Sequence, residues 1–331
     1  MRWSYLFILS CLSLSHLGCS GCAQAPDFWI EAKPGQKKVL VSFPPLYAIT
    51  HAVAGDDAYV LSMLTTEGPH GYHGAATDLF RINKADLLIS NGLELDDAFV
   101  NKMLRGHSNG SLVTLNIGES LLATQPALVK KGDGKWCVHA DGTKHKLGEF
   151  DPHLWLGPPQ AKAMTRLIAA KLSEIDPAHK AGYEERAAKF IAELEDVENQ
   201  GKKKLHGKAN KKLVTMHEAF AYFASAFDLE IARAIQKNPG VDPDPVSVKD
   251  LVELCQAVDG PRVIAVEPQF STGQADALKA SLKNRGVLIK IVTLDPLETA
   301  EIPAGRRFNP DPRYFIDTMR KNIETLAEAL P

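Results

Sequence analysis

Apolar residues in the first half of the chain form short continuous runs that alternate with stretches of helical spacing. Runs bounded by turn residues predict buried strands, and apolar spacings of three and four predict helices. The predicted strands are residues 38–43, 59–64, 85–90 and 112–117. Helices are predicted at 46–54 and 77–84. This alternation is typical of βαβ units with a parallel sheet.

The same alternation returns in the second half, after a long helical region. Residues 128–150 are rich in glycine and charge and predict a loop, and helical spacing then runs from 159 to about 208. Further strands are predicted at 212–216, 230–235, 262–266 and 287–294, and helices at 218–227, 246–257, 273–284 and 313–330. We therefore predict an α/β fold of two lobes, each with a parallel sheet flanked by helices, joined by one long rigid helix.

These patterns divide the chain into five segments. Residues 1–22 have the pattern of a lipoprotein-type signal, and the polar residues 23–37 are typical of a tether. Residues 38–175 then form an N-terminal lobe, 176–208 the linking helix, and 209–331 a C-terminal lobe.

The first segment carries the pattern of an exported protein. Arg2 gives a positive start, an apolar stretch follows as far as Leu14, and small residues lead into Cys19 and Cys22. Each cysteine follows a glycine, which resembles the bacterial lipoprotein signal, where a cysteine is lipidated and becomes the mature N-terminus. We expect lipidation at Cys19 or Cys22 and an anchor on the cell membrane, facing the periplasm or the exterior. Plain secretion is the alternative.

Composition and cysteine usage narrow the possible partners and sites. The 331 residues carry a formal charge of -2, which gives no support for a nucleic-acid partner. Beyond the signal, Cys137 and Cys255 are far apart in sequence, and a disulfide between them has no support from spacing. Because that part of the chain has no CxxC motif, a cysteine-bound structural zinc is not expected.

Three histidines and one aspartate follow or flank predicted strands in both halves of the chain. His70 comes after the second strand, His217 directly after the strand KLVTM, and Asp295 directly after VLIKIVTL, while His153 precedes the long helical region. Ligands of open α/β sheets bind at the carboxyl ends of strands. Three imidazoles and a carboxylate suit a tetrahedral Zn(II) ion. The sequence therefore predicts a metal site between the lobes.

The phrases around these residues are more specific than the residues alone. They are GPHGYH with ADLLISNGLELD, DPHLWLGPPQAKAM, VTMHEAFAYFA, VIAVEPQFS and TLDPL. In this order they resemble the cluster A-I solute-binding proteins of bacterial ABC importers for zinc and manganese. The resemblance covers residues 38–331. It implies two α/β lobes bridged by a rigid helix, a monomer that delivers metal to a membrane permease, and metal ligation by His70, His153, His217 and Asp295.

Some positions depart from the family pattern. Gly68 stands where the first phrase usually has Asp, and His73 where an acidic residue is usual. The loop before DPH holds only His139 and His145, where zinc-binding members often have a long histidine-rich loop. Manganese-binding members usually carry Glu at the position of His217, so this histidine favours Zn(II) as the cargo over Mn(II).

Two other functions compete with metal import. A zinc hydrolase would need a second histidine at position 221, which is Ala, so HExxH is absent and we predict no enzyme. Glu267 could be proposed as a general base, but it equally suits a supporting or structural role. A surface adhesin, or a periplasmic zinc chaperone without a transporter, would use the same site and remains the alternative.

Overall fold

The computed structural model of the protein describes residues 27–130, 149–236 and 243–331, together with the backbone of 136–138 and 144–146. Cys19 and Cys22 lie outside the described residues, as do His139 and the side chains of Cys137 and His145. The predictions made for these residues therefore stay predictions.

The first half of the chain builds one sheet and its covering helices. The strands are β1 (Lys37–Val41), β2 (Ala58–Ser62), β3 (Leu87–Ser90) and β4 (Val113–Asn116). The helices are α1 (Pro44–Ala54), α2 (Asp78–Ile82), α3 (Asp97–Gly106) and α4 (Ile117–Thr124). Pro44 and Pro45 open α1, where a missing N–H costs nothing. Gly55 ends α1 with a φ of +53°, in the left-handed region that favours glycine.

A hairpin and two long helices follow, and a second sheet completes the chain. The hairpin is β5 (Trp136–Val138) and β6 (Lys144–Lys146), and the long helices are α5 (Pro158–Ile175) and α6 (Lys180–Leu205). The later strands are β7 (Lys212–Thr215), β8 (Glu230–Ala234), β9 (Val263–Val266) and β10 (Lys290–Thr293). The later helices are α7 (Ala221–Ala226), α8 (Pro245–Gln256), α9 (Gly273–Lys283) and α10 (Tyr314–Ala329).

Both large sheets are parallel, as predicted. Their strand orders are β2-β1-β3-β4 and β10-β9-β7-β8. Alternate residues of β9 point to opposite faces. Val263 and Ala265 join the large core that spans both lobes, and Ile264 and Val266 join a smaller core under α8 and α9. The predicted fold class is confirmed.

Several elements differ from the sequence prediction. The glycine-rich region 128–150, predicted as a loop, contains the antiparallel β5–β6 hairpin. Its register opposes Trp136 to Lys146, a short pairing without the alternation that marks a half-buried strand. Helices α3 and α4 were not predicted. The helix predicted at 218–227 is shorter, since the chain runs in bends and turns between β7 and Ala221.

Helix α6 connects the lobes along one continuous apolar stripe. Its buried residues recur at intervals of three and four: Tyr183, Ala187, Phe190, Leu194, Val197, Gly201 and Leu205. The helix packs against α1 and α5 on one side and α10 on the other. Arg186 donates hydrogen bonds to the carbonyls of Val53 and Ala54 at the end of α1. The long linking helix is thus present, and we keep the boundaries 38–175, 176–208 and 209–331 as a proposed division.

Buried polar contacts tie the segment after β10 to the first lobe. The Trp155 indole Nε1 donates to the Pro296 carbonyl at 2.7 Å. Farther along, the Ala300 amide donates to the Thr65 carbonyl at 2.8 Å, and the Asn309 side chain both accepts from the Ser62 amide and donates to the Val60 carbonyl. The segment between these contacts is therefore held against the edge strand β2 as well as against its own lobe.

Two further expectations concern cysteine and the membrane. Cys255 is a buried free thiol on α8, and burial raises its pKa to about 11. In the part of the chain that the structure describes, no helix is long and apolar enough to cross a membrane.

Candidate metal centre

Four side chains from four separate segments meet between the lobes. His70 lies in the short 3-10 helix Pro69–Gly71 beyond β2, and His153 immediately precedes the 3-10 helix Leu154–Leu156. His217 follows β7, and Glu298 lies in the segment after β10. One nitrogen or oxygen of each residue lies within 4.8 Å of the others. The structure therefore brings together His70, His153 and His217, three of the four residues that the sequence predicts as ligands.

Four of the six distances within this group match those around a tetrahedral ion. Glu298 Oε1 lies 3.3 Å from His70 Nε2, 3.5 Å from His153 Nε2 and 3.4 Å from His217 Nε2. The Nε2 atoms of His70 and His153 are 3.4 Å apart. A tetrahedron's edge is about 1.6 times its bond length, so zinc bonds of about 2.0–2.1 Å give ligand separations of about 3.3–3.4 Å. These four distances are the ones expected between ligands of one small cation, and the remaining two are no longer than 4.8 Å.

The burial of these four side chains also indicates a site for a bound metal ion. His153, His217 and Glu298 are between 2% and 4% exposed, and His70 forms the more open side at 18% of its side chain. His217 Nε2 is buried without a hydrogen-bond partner. Buried polar atoms in native proteins are nearly always satisfied. An unpaired imidazole nitrogen that faces two other imidazoles and a carboxylate is what a metal ligand needs.

Two carboxylates hold the imidazoles from behind. His153 Nδ1 is hydrogen-bonded to Asp151 Oδ1 at 2.8 Å, and the His153 amide donates to the same oxygen. His217 Nδ1 lies 2.6 Å from Glu267 Oε2, close but poorly aligned for a hydrogen bond. A carboxylate on the far nitrogen orients a ligating histidine and raises its basicity. Glu267, which the sequence left between a general base and a supporting role, occupies the supporting position.

The protonation of the group reflects both burial and these partners. Burial lowers the pKa of His70. Burial also opposes a charge on His153, but contacts with Asp151 and Glu298 outweigh it and raise the pKa to about 9. The pKa of His217 is likewise held well above its usual range by Glu267 and Glu298 against the effect of burial. Burial opposes the Glu298 charge, yet the three histidines hold its pKa well below the usual range.

The carboxylate beside the three imidazoles differs from the one that the sequence predicts. The structure brings Glu298, not Asp295, to the three imidazoles. Asp295 Oδ1 instead accepts a hydrogen bond from the Leu297 amide at 2.7 Å, and its backbone is paired with the Asn322 side chain on α10. Leu297 has a φ of +62°, so the chain turns sharply after Pro296. This turn directs Asp295 back onto the backbone and carries Glu298 into the site.

The other expected candidate in this region is His73. It is exposed, lies outside the group of four, and its carbonyl accepts a hydrogen bond from Lys102 Nζ at 3.3 Å. Tyr72, between His70 and His73, donates to the buried carboxylate of Asp78 at 2.7 Å. Tyr72 thus helps to fix the loop that carries His70.

Comparison with known proteins now adds to this geometry. Residues 39–329 match the family of the periplasmic zinc-uptake complex component A, ZnuA. The chain belongs to this family. It is 28% identical over 333 residues to the zinc-binding lipoprotein AdcA of Streptococcus pneumoniae, covering 99% of this chain but 61% of that relative. It is 24% identical to the high-affinity zinc uptake system protein ZnuA of Bacillus subtilis, covering 99% and 98% of the two chains.

Solved structures of similar proteins share the two-lobed fold. Zn(II)-bound AdcA of Streptococcus pneumoniae superposes with a TM-score of 0.69 at 25% identity, over 89% of this chain and 58% of that one. The laminin-binding protein Lmb of Streptococcus agalactiae, described as bifunctional with adhesin and metal-transporting activity, gives a TM-score of 0.71 at 25% identity, over 89% and 100% of the chains. The expected resemblance to metal-binding proteins of importers is confirmed.

Proposed function

We propose that the protein captures one Zn(II) ion between its lobes and delivers it to an ABC importer permease. The observation that carries the proposal is the group of three imidazole nitrogens around one carboxylate oxygen, which lies 3.3–3.5 Å from each of them. The zinc-binding relatives support the choice of cargo. Ligation by His70, His153, His217 and Glu298 is part of the proposal.

The donor set favours zinc over manganese. Imidazole suits zinc and other borderline metals, whereas Mn(II) prefers shells richer in oxygen. Three of the four donors are nitrogens, and the family resemblance implies that manganese-binding members usually carry Glu at the position of His217. We therefore expect the protein to bind Mn(II) more weakly than Zn(II).

The same geometry favours capture over catalysis. Catalytic zinc sites keep one position open for water or substrate, whereas sites with four protein ligands are closed. Here four side chains fill the tetrahedron. Glu267 lies against His217 Nδ1, on the side of the ring away from Glu298. We infer that the protein is not an enzyme, and that Glu267 orients His217.

The location of the protein completes the proposal. A lipid on Cys19 or Cys22 would anchor the chain outside the cell membrane. The tether predicted at 23–37 is shorter than expected, because Phe28 and Trp29 are buried in the core and the Trp29 indole donates to the Arg81 carbonyl. We propose that the protein acts at the membrane as a monomer.

A complementation experiment tests delivery in cells that lack this gene and need it to grow in zinc-poor medium. A gene that encodes the Glu298→Ala variant should fail to restore zinc uptake.

Calorimetry of Zn(II) with the purified protein tests the capture step. We expect one zinc per chain and tighter binding of Zn(II) than of Mn(II). A stoichiometry far from one, or equal affinity for calcium and zinc, would contradict the proposal.

Zinc affinity should rise steeply with pH. His153, with a pKa of about 9, and His217, with a pKa well above its usual range, hold protons in the metal-free protein at neutral pH. Zinc must displace both, so binding should release about two protons and tighten by up to about 100-fold per pH unit between pH 6 and 8. Calorimetry in buffers of different ionisation enthalpy measures the protons released. Heats that do not depend on the buffer would contradict this assignment.

One observation favours a second candidate function. The neighbour Lmb is described as both an adhesin and a metal transporter. An adhesive role would be additional to the metal site, so laminin binding should survive Glu298→Ala while zinc binding does not. A plate assay with immobilised laminin separates the two roles.

A further inference from the structure

The two oxygens of Glu298 face different surroundings. Oε1 points at the three imidazoles, at 3.3–3.5 Å. Oε2 lies within 3.5 Å of the side-chain nitrogen of Gln269. On its other side, a Cβ added at Gly68 would stand 3.8 Å from Oε2. Only one oxygen of this carboxylate is therefore directed at the site.

Gln269 bridges two carboxylates of the centre. Its Nε2 donates to Glu267 Oε2 at 3.3 Å as well as to Glu298 Oε2 at 3.5 Å. Glu267 Oε2 is the same atom that lies 2.6 Å from His217 Nδ1. A single amide thus connects the carboxylate ligand to the partner of the His217 ligand. The opposite amide orientation would place the Gln269 oxygen against two carboxylates, so the donor orientation is the one that the charges require.

Gln269 is placed where it can influence the metal ligands without binding the metal itself. It follows Glu267 by two residues in the loop between β9 and α9, and its side chain is exposed, while both carboxylates that it contacts are buried. An exposed glutamine contributes little to the core. Its two hydrogen bonds, both directed inward, are the contacts through which it can influence the centre.

How a carboxylate binds decides which metal it suits. A carboxylate that gives one oxygen completes a tetrahedron with three imidazoles, the arrangement that Zn(II) adopts. A carboxylate that gives both oxygens raises the coordination number and the share of oxygen, which suits harder ions such as Mn(II). Whatever holds Oε2 of Glu298 away from the metal therefore favours zinc.

We propose that Gln269 is a specificity-determining residue, whose amide holds Glu298 as a one-oxygen ligand and thereby favours four-coordinate Zn(II) over Mn(II). The proposal rests on the function proposed above. Gln269 would not touch the metal, and would act by positioning the Glu298 carboxylate.

The test replaces Gln269 with Leu, which keeps similar bulk but cannot donate. Gln256→Leu, an exposed glutamine at the end of α8, serves as the matched control. Zn(II) and Mn(II) affinities are measured for each protein, and Co(II) is added as a spectroscopic probe. Tetrahedral Co(II) absorbs strongly in the visible region, and five-coordinate Co(II) absorbs more weakly.

We expect Gln269→Leu to weaken Zn(II) binding about 10–100-fold, the usual cost of losing a partner of a metal ligand. Mn(II) binding should be unchanged or tighter, and the visible Co(II) band should weaken. Gln256→Leu should match the wild type in all three measurements. Thermal unfolding of the metal-free variants checks that both are folded.

Two results overturn the proposal about Gln269. One is a Gln269→Leu protein whose Co(II) spectrum and zinc-to-manganese affinity ratio equal those of the wild type. The other is an equal loss of affinity for both metals, which indicates support of the site without selectivity. Failure of the underlying function is a different outcome, because the wild type itself would then bind no single Zn(II) ion.

Discussion

Replacing Glu298 with alanine weakens Zn(II) binding by more than about 100-fold. Loss of a residue that merely supports a ligand costs about 10–100-fold, so loss of a ligand should exceed that range. Glu298 also carries the only carboxylate oxygen that lies within 3.5 Å of Nε2 of His70, His153 and His217, among the described residues. Without it, three imidazoles face one another with no carboxylate oxygen among their Nε2 atoms, and only Asp151 and Glu267 remain behind two of the rings.

Asp295→Ala is the matched comparison. Its carboxylate accepts from the Leu297 amide and so supports the turn that carries Glu298. We expect this variant to lose about 1 kcal/mol of stability and far less zinc affinity than Glu298→Ala. Competition titration with a zinc-selective chelator measures both variants on one scale. A larger loss of affinity in Asp295→Ala would restore Asp295 as the ligand.

Replacing Trp155 with alanine lowers the free energy of unfolding of the metal-free protein by about 3–5 kcal/mol, as for other large core residues. The Trp155 ring is fully buried, packs at 4.8 Å against Phe43 and at 5.3 Å against His153, and its Nε1 donates to Pro296 of the other lobe. The substitution removes apolar burial and a contact between the lobes together.

Trp155→Phe separates these two contributions. It keeps an aromatic ring beside Phe43 and His153 but leaves the Pro296 carbonyl without its donor, at a cost of about 1–3 kcal/mol. Urea unfolding in the presence of a chelator measures both variants. A loss below about 1 kcal/mol for Trp155→Ala would show that this contact does not hold the lobes together.

Much of the fold could be predicted because apolar runs mark strands buried on both faces. β3 and β9 are buried at every residue, and both lie inside runs that predicted strands. The long helix was predictable for a similar reason, since its buried residues recur at helical spacing over about six turns. Short elements were missed. The five-residue α2 was predicted, and α4 was missed because its apolar residues run on directly from β4. Helix α3 was also missed, although its buried residues Phe99, Val100 and Met103 do recur at helical spacing.

The sequence predicted which segments meet at the candidate site, but not every side chain that those segments place there. Histidines in distinctive phrases located His70, His153 and His217, and the strand-end rule located the loop after β10. That loop offers two carboxylates, at 295 and 298. The choice between them depends on the backbone of Leu297, whose positive φ is unusual for a residue with a side chain and has no signal in the sequence.

The residues that contact the candidate metal ligands were still harder to predict from the sequence. Asp151 is local to His153 and could have been suspected from the DPH phrase, because a carboxylate two residues away can reach back to the ring. Glu267 and Gln269 come from the loop after β9, some fifty residues from His217. Their roles depend on the neighbouring position of β7 and β9 in the sheet, which only the folded chain reveals.

Zinc-edge anomalous diffraction from crystals of the zinc-loaded protein tests the central claim most directly. We predict one strong peak per chain, about 2.0–2.2 Å from Nε2 of His70, His153 and His217 and from one oxygen of Glu298. A peak elsewhere on the molecule, or one bound by Asp295 in place of Glu298, would contradict the account.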